Sequence, residues 1–167
     1  MASLVLAIFI YRNMSKTEIQ NLIDTLAHTF EKNAWHGPSV LEALEDLRDV
    51  QADQRMGNSH SIVELIAHMT AWRIFVCEKL EGNNAFDIDT DEMNFPTSKN
   101  LKTAIHELKA SQKRLLKLLE QTPIERLDEK VPGRPYKFKV MLNGIIHHDV
   151  YHTGQIVLLK KYHNEQL

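Results

Sequence analysis

Segments in which apolar residues recur every three or four positions alternate with shorter segments rich in polar residues, glycine and proline. Such spacing is typical of amphipathic helices, because one face of a helix repeats about every 3.6 residues. It predicts four long helices, over about residues 15–32, 59–81, 98–121 and 139–163. A further short helix is predicted in "PSVLEALEDL", which has Pro38 near its start. No segment alternates long enough to predict a strand, so the pattern indicates an all-α fold, most simply a four-helix bundle.

The connection between the second and third long helices bears on how the helices are arranged. It reads "EGNNAFDIDTDEMNFPTS", a polar stretch with one glycine and one proline. About fifteen extended residues reach about 50 Å, whereas a helix of about 23 residues is about 35 Å long. The connection is therefore long enough to cross the bundle and leave these two helices parallel, although its length does not require that arrangement.

Composition narrows the class of protein. Hydrophobic residues make up 43% and charged residues 25% of the 167 residues, as in a soluble globular domain. Lys and Arg number 20 against 22 Asp and Glu, which argues against nucleic acid as a partner, because phosphate binding needs a concentrated basic surface. The single cysteine, Cys77, excludes an internal disulfide and a thiolate-rich metal cluster. A reducing cytoplasm fits this composition best.

The first residues differ from the rest. Residues 1–13 contain the apolar run "ASLVLAIFIY", which is too short to span a bilayer as a helix. The run lacks the positive flank and cleavage site of a signal peptide, and a membrane anchor is the less favoured alternative. Ser15 and Glu18 then form a Ser-x-x-Glu capping box that would start the first helix. We expect residues 14–167 to form the domain and residues 1–13 to lie outside it.

Two histidines in the fourth helix have the spacing of a metal site. His148 and His152 are four residues apart, so their rings lie about 40° apart around a helix and can reach one point. They also belong to an apolar stripe with Met141, Ile145 and Ile156, so they face the predicted core. His147 points about 100° away. A divalent ion held by two imidazoles needs a further ligand, and His68 lies in an apolar stripe of the second helix.

The alternative interpretation of these histidines is ordinary. A histidine on an apolar face is usually a hydrogen-bonded core residue, and a pair at this spacing arises easily among nine histidines. Gln155 follows His152 on the same face and either orients a ligand or simply packs. Glu64, one turn before His68, either orients that histidine or caps its helix with Ser61. Cys77 lies about 180° around the helix from His68 and should not share its metal.

The remaining histidines are weaker candidates. His60 stands at the start of the second helix, where a terminal hydrogen-bonding role is expected. The others lack a partner at useful spacing and are read as surface or packing residues; they are His28, His106 and His163.

Three quoted segments together carry a family resemblance. "AWHGPSVLEAL", "HSIVELIAHMTAW" and "HHDVYHTGQI" resemble the DinB/YfiT-like superfamily of metalloenzymes, over about residues 15–162. The resemblance implies a four-helix bundle of down-up-up-down topology, frequent homodimers and one divalent metal, often zinc or nickel. The family's three ligand positions fall on His68, His148 and His152. Residues 1–13 have no counterpart in the family pattern.

The resemblance also suggests a function. Characterised members include thiol-dependent enzymes, so we expect a metal-dependent enzyme that transfers a low-molecular-weight thiol to a small electrophile, or a hydrolase of a small molecule. The alternative is a non-catalytic metal-binding or stress-associated module. Zinc is the first choice of metal and nickel the second. Trp72, one turn from His68, is expected to line a pocket beside the metal. The resemblance suggests that Trp35 and His36 border the mouth of that pocket. An aromatic cluster that closes the end of the bundle is an equally compatible interpretation of these residues.

The N-terminal extension gives a first prediction. A chain that begins at Met14 should melt within a few degrees of the full chain, because the capping box at Ser15 and Glu18 already supplies a helix start. Differential scanning fluorimetry on the two chains measures this. A large loss of stability in the shorter chain would contradict it, as would recovery of the full chain in a membrane fraction.

Overall fold

The computed structural model describes residues 18–98 and 100–165, and their regular structure is helical apart from one isolated antiparallel bridge between Lys130 and Lys137. The all-α prediction is therefore confirmed for this part of the chain. We number the α-helices in chain order, and a five-residue 3₁₀ helix at Ile124–Asp128 precedes the last. They are α1 (18–30), α2 (Val40–Ala43), α3 (Asp49–Asp53), α4 (Ile62–Leu80), α5 (Asp91–Asn94), α6 (Leu101–Gln121) and α7 (Phe138–Glu165).

The long helices begin where local hydrogen bonds favour it. At the start of α4, the Ser61 hydroxyl accepts from the Glu64 amide at 3.3 Å, and the Glu64 carboxylate accepts from the Ser61 amide at 2.7 Å. This is the capping box that the sequence predicted. Ser39 and Glu42 form a second box at the start of α2, directly after Pro38. Ser15 lies outside the described residues.

Two short helices were not predicted. Helices α3 and α5 have five and four residues, too few to display a helical period. Helix α5 lies in the polar connection between α4 and α6, where Thr90 caps it by accepting a hydrogen bond from the Met93 amide at 3.2 Å. The connection is therefore structured rather than a plain loop.

Helix α4 lies at the centre of the packing, against both α6 and α7. The buried apolar residues form two clusters, and α4 contributes to both. Its N-terminal half packs with α2, α3, α6 and the C-terminal half of α7, through residues such as Ile62, Ile66 and Ile156. Its C-terminal half packs with α1, α6 and the N-terminal half of α7, through Phe75, Leu26 and Leu142. Among the described helices, none combines the length and hydropathy needed to cross a bilayer.

A buried polar network joins four of these helices. Arg73 of α4 donates to the Asp149 carboxylate of α7 at 2.5 Å, and both side chains are fully buried. The Arg73 Nε donates to the Gln112 side chain of α6 at 3.1 Å, and the Gln112 amide donates to the Leu26 carbonyl of α1 at 3.3 Å. The guanidinium also lies 4.8 Å from the centre of the Phe30 ring. Burial raises the pKa of Asp149, and the charge of Arg73 opposes that rise.

Removal of one partner of this ion pair should be costly. Arg73→Met leaves the Asp149 charge buried without its partner, and we expect a loss of about 3–5 kcal/mol in the free energy of unfolding. Arg73→Met combined with Asp149→Leu should recover part of that loss, because no unpaired charge remains. Urea unfolding at neutral pH measures both.

A matched control is the pair between Lys137 and Asp128, which are 2.8 Å apart with side chains 52% and 78% exposed. Lys137→Met should cost far less than Arg73→Met, because an exposed pair is well hydrated. Equal costs for Arg73→Met and Lys137→Met would contradict the role given to the buried pair.

Candidate metal centre

Helices α4 and α7 bring three imidazole rings together. His68 lies in the second turn of α4, and His148 and His152 lie one turn apart in α7. The Nε2 atom of His148 is 2.9 Å from that of His68 and 3.1 Å from that of His152. One nitrogen from each ring lies within 4.8 Å of the others. His68 and His152 are buried and His148 is half-buried. The structure thus brings together the three histidines that the spacing selected.

In two of the rings, the hydrogen-bond partner of Nδ1 determines which ring nitrogen carries the proton. The Nδ1 of His68 lies 2.8 Å from the Asn94 carbonyl oxygen, and that of His152 lies 2.6 Å from the Gln155 side-chain oxygen. Both oxygens can only accept, so each Nδ1 must donate and each Nε2 must present a lone pair. The Gln155 amide nitrogen faces the Tyr151 hydroxyl at 3.4 Å, which agrees with this orientation.

This proton arrangement leaves a cluster of lone pairs that hydrogen bonds cannot satisfy. If His148 carries its proton on Nε2, that proton serves one of the two Nε2 contacts and leaves the lone pair of the other ring without a donor; if it carries the proton on Nδ1, all three Nε2 lone pairs face one another. A divalent cation between the nitrogens would satisfy all three, and imidazole is a preferred ligand of such ions. The donor set therefore fits a divalent metal, and hydrogen-bonded outer nitrogens are the usual support of metal-binding histidines.

The protonation of the rings agrees with this donor set. Burial, together with the neighbouring imidazoles, lowers the pKa of His148 to about 3. Burial, opposed by the hydrogen bond to Gln155 and assisted by His68 and His60, lowers the pKa of His152 to about 4. Burial also lowers the pKa of His68, although its hydrogen bond to Asn94 opposes the change. All three rings are therefore neutral at pH 7, the state in which histidine binds metals.

Two residues that sequence reasoning missed complete the surroundings of His68. Asn94 accepts from His68 through its carbonyl and from the Trp72 indole N–H through its side chain, at 3.0 Å. Phe95 stacks on His68, with ring centres 4.3 Å apart, and on His60 at 3.7 Å. Asn94 is the last residue of α5 and Phe95 directly follows it. Both lie in the polar connection, which carries no periodic signal, so only the three-dimensional structure reveals them.

The other candidate residues are placed as follows. Trp72 lies beside the cluster, with its ring centre 6.1 Å from that of His148. The Glu64 carboxylate contacts Ser61, Arg55 and His60 rather than His68 within the described chain. Burial raises the pKa of Glu64, but hydrogen bonds from Arg55 and Ser61 outweigh burial and leave it below the usual value.

Trp35 and His36 lie in another concavity, which they line together with residues of α1. Trp35 is fully exposed there. Their approach to a bound substrate stays a prediction.

Cys77 does not belong to the histidine cluster. It is fully buried among the apolar residues around α6 and the N-terminal half of α7. Burial raises the pKa of its thiol to about 12. A thiol in these surroundings stays protonated at neutral pH and is a poor nucleophile.

The all-α fold and the buried cluster of three histidines define a helical protein with a site compatible with a divalent metal. The chain belongs to the DinB superfamily, whose family model matches residues 33–156. This match covers most of the chain and includes all three histidines. A comparison with curated proteins found no match, and neither did a comparison with solved structures.

The lowered pKa values predict how metal-free protein responds to acid. The folded pKa values of His148 and His152 lie below the unfolded value of about 6.5, so between these limits the unfolded chain binds protons that the folded chain does not. Stability is therefore present above about pH 6.5 and is lost as the pH falls towards 4, with a slope of up to about 1.4 kcal/mol per pH unit for each group.

Urea unfolding between pH 7 and 4, with a chelator present, measures this slope. His148→Gln should reduce it, whereas His147→Gln changes an exposed neighbour and should leave it unaltered. An unchanged slope in His148→Gln would contradict the assignment.

Proposed function

We propose that His68, His148 and His152 hold one divalent metal ion, zinc in first place and nickel in second, and that the protein transfers a low-molecular-weight thiol to a small electrophile. The observation that carries the proposal is the donor set. Three neutral imidazoles converge through Nε2, and the ligand group identified in the described chain contains neither carboxylate nor thiolate. Such a set leaves the charge of the ion uncompensated.

A divalent ion held in this way would lower the pKa of a coordinating thiol or water and stabilise the resulting anion. The protein's own residues supply the framework. The Asn94 carbonyl and the Gln155 side chain hold the His68 and His152 rings in the required tautomer. Phe95 and Trp72 cover the His68 side of the cluster with aromatic surface, which limits access of water.

Gln155 and Tyr151 lie on the more accessible side of the cluster. Tyr151 is 64% exposed and its ring centre lies 4.9 Å from that of His152. The Gln155 amide, which faces the Tyr151 hydroxyl, is placed to orient a polar group of an incoming thiol. These two residues therefore serve to position the cosubstrate.

The choice of thiol transfer over hydrolysis rests on two side chains. Cys77 is buried away from the cluster, so a nucleophilic sulfur has to come from a cosubstrate. Glu64 is engaged by Arg55 and Ser61, which makes it a poor general base for water. In the transfer step the thiol sulfur bonds to the electrophilic carbon, the leaving group departs with the electron pair of its broken bond, and the thiol proton passes to solvent.

In the same proposal, helices α1, α4, α6 and α7 form a four-helix bundle in the down-up-up-down order, with α4 and α6 parallel. The protein acts in the cytoplasm as a homodimer. Buried contacts of Leu22 and Leu26 with residues of α6 and α7 support the inclusion of α1 in this bundle.

Metal content and turnover test the proposal together. Untagged wild-type protein should contain about one zinc or nickel per chain by elemental analysis and should conjugate a bacillithiol-like thiol to 1-chloro-2,4-dinitrobenzene with release of chloride. His148→Ala should lose both properties, because two imidazoles hold the ion too weakly. His147→Ala, a change of its exposed neighbour on the same helix, is the matched control and should keep both.

Three outcomes would contradict the proposal. Unchanged metal content in His148→Ala would rule out the ligand assignment. Metal-dependent turnover of ester or amide substrates without any thiol would replace transfer by hydrolysis. Bound metal with no turnover of any acceptor would favour the non-catalytic module.

A further inference from the structure

A cavity of about 310 Å³ lies between α4 and α7 and reaches His148. Its volume is at the lower end of the range of small-molecule pockets. Helix α4 contributes Trp72 and Phe75, and α7 contributes Met141, Gly144 and Ile145 before the cavity ends at His148. The cavity therefore borders the histidine cluster at His148, on the part of α7 that precedes the ligands.

We infer that this cavity is the acceptor subsite, which binds an uncharged substrate through an aromatic or branched aliphatic group and directs its reactive end towards His148. The inference rests on the proposed function, since it names the class of electrophile that the proposed thiol transfer would use.

The lining accounts for the preference for uncharged groups. It is almost wholly apolar, and its polar side-chain atoms belong to Trp72, Tyr136 and His148. The Trp72 indole N–H already donates to Asn94, and His148 Nε2 points at the other two imidazoles. An ionic group that entered the cavity would lose its hydration and find no charged partner in the lining, which is costly. An apolar group would gain by leaving water.

Gly144 sets the size of the group that fits. It lies one turn before His148 on α7 and lines the cavity. A Cβ atom added there would meet no atom of the described chain within 4 Å, so the glycine is not required by close packing. Glycine inside a helix costs about 1 kcal/mol relative to alanine. The space it leaves belongs to the cavity, and a larger side chain at this position would fill that space.

Gly154 offers a matched control on the same helix. Gly144 and Gly154 are both exposed, and an added Cβ atom at either position meets no described atom within 4 Å. Unlike Gly144, Gly154 does not line the cavity. Gly144→Leu and Gly154→Leu therefore make the same chemical change in similar helical surroundings, and only the first occupies the proposed subsite.

The experiment measures equilibrium binding of a fluorescent probe to the full-length, metal-loaded protein. N-phenyl-1-naphthylamine is the uncharged probe, and 8-anilinonaphthalene-1-sulfonate has the same ring skeleton with an added sulfonate. We expect the uncharged probe to bind more tightly than the sulfonate. Gly144→Leu should raise its Kd at least about tenfold, equivalent to about 1.4 kcal/mol, whereas Gly154→Leu should leave it within about twofold.

Gly144→Ala keeps the test valid if the leucine variant fails to fold. The added methyl group has free space, and the substitution replaces a glycine that destabilises the helix. It should raise the melting temperature slightly and still weaken the uncharged probe by about threefold. An unchanged Kd in the folded Gly144 variants would overturn the inference, and so would equally tight binding of the sulfonate.

Failure of the proposed function gives a different result. Loss of thiol transfer or of metal, with probe binding that still depends on Gly144, would remove the proposed reaction and leave an apolar ligand site at His148. Normal metal content and turnover, with probe binding insensitive to Gly144, would overturn the acceptor subsite alone.

Discussion

The buried ion pair between Arg73 and Asp149 is the constraint on which the site depends. Two charges removed from water are tolerated only when their geometry is fixed, and here Gln112 supplies a further hydrogen bond to Arg73. The pair therefore joins α4 to α7 in one register. His68 lies five residues before Arg73, and His148 lies directly before Asp149. The register that satisfies the ion pair is the one that brings the three imidazoles together.

The histidine cluster lowers the stability of the metal-free core. Converging lone pairs repel one another in surroundings from which water is largely removed, and that repulsion has to be offset by the packing of α4 against α7. A bound cation would turn the repulsion into attraction, so metal binding should couple to stability as well as to chemistry. The cavity beside His148 has an almost wholly apolar lining. Helices α4 and α7 therefore offer a ligand both the polar histidine cluster and an apolar surface next to it.

The sequence was sufficient for the parts of the site that lie on long helices. The spacing of His148 and His152 and the apolar stripe around His68 follow from the helical period, and the capping box at Ser61 follows from a local motif. Asn94 and Phe95 could not be predicted, because they reach His68 from a four-residue helix in a polar connection.

The ion pair was equally hidden from sequence reasoning. Arg73 and Asp149 are 76 residues apart, and a single charge in a helix reads as a surface residue. The placement of Trp35 beside α1 likewise depends on the path of a loop.

X-ray absorption spectroscopy at the metal edge of the loaded, untagged protein would show how a metal is held at this site. If His68, His148 and His152 bind one zinc ion and leave a coordination position open, the spectrum should contain three imidazole ligands at about 2.0–2.1 Å and a fourth, light ligand from solvent. An added low-molecular-weight thiol should then bring a sulfur to about 2.3 Å. A sulfur ligand before any thiol is added, or four protein ligands that exclude the thiol, would contradict this assignment.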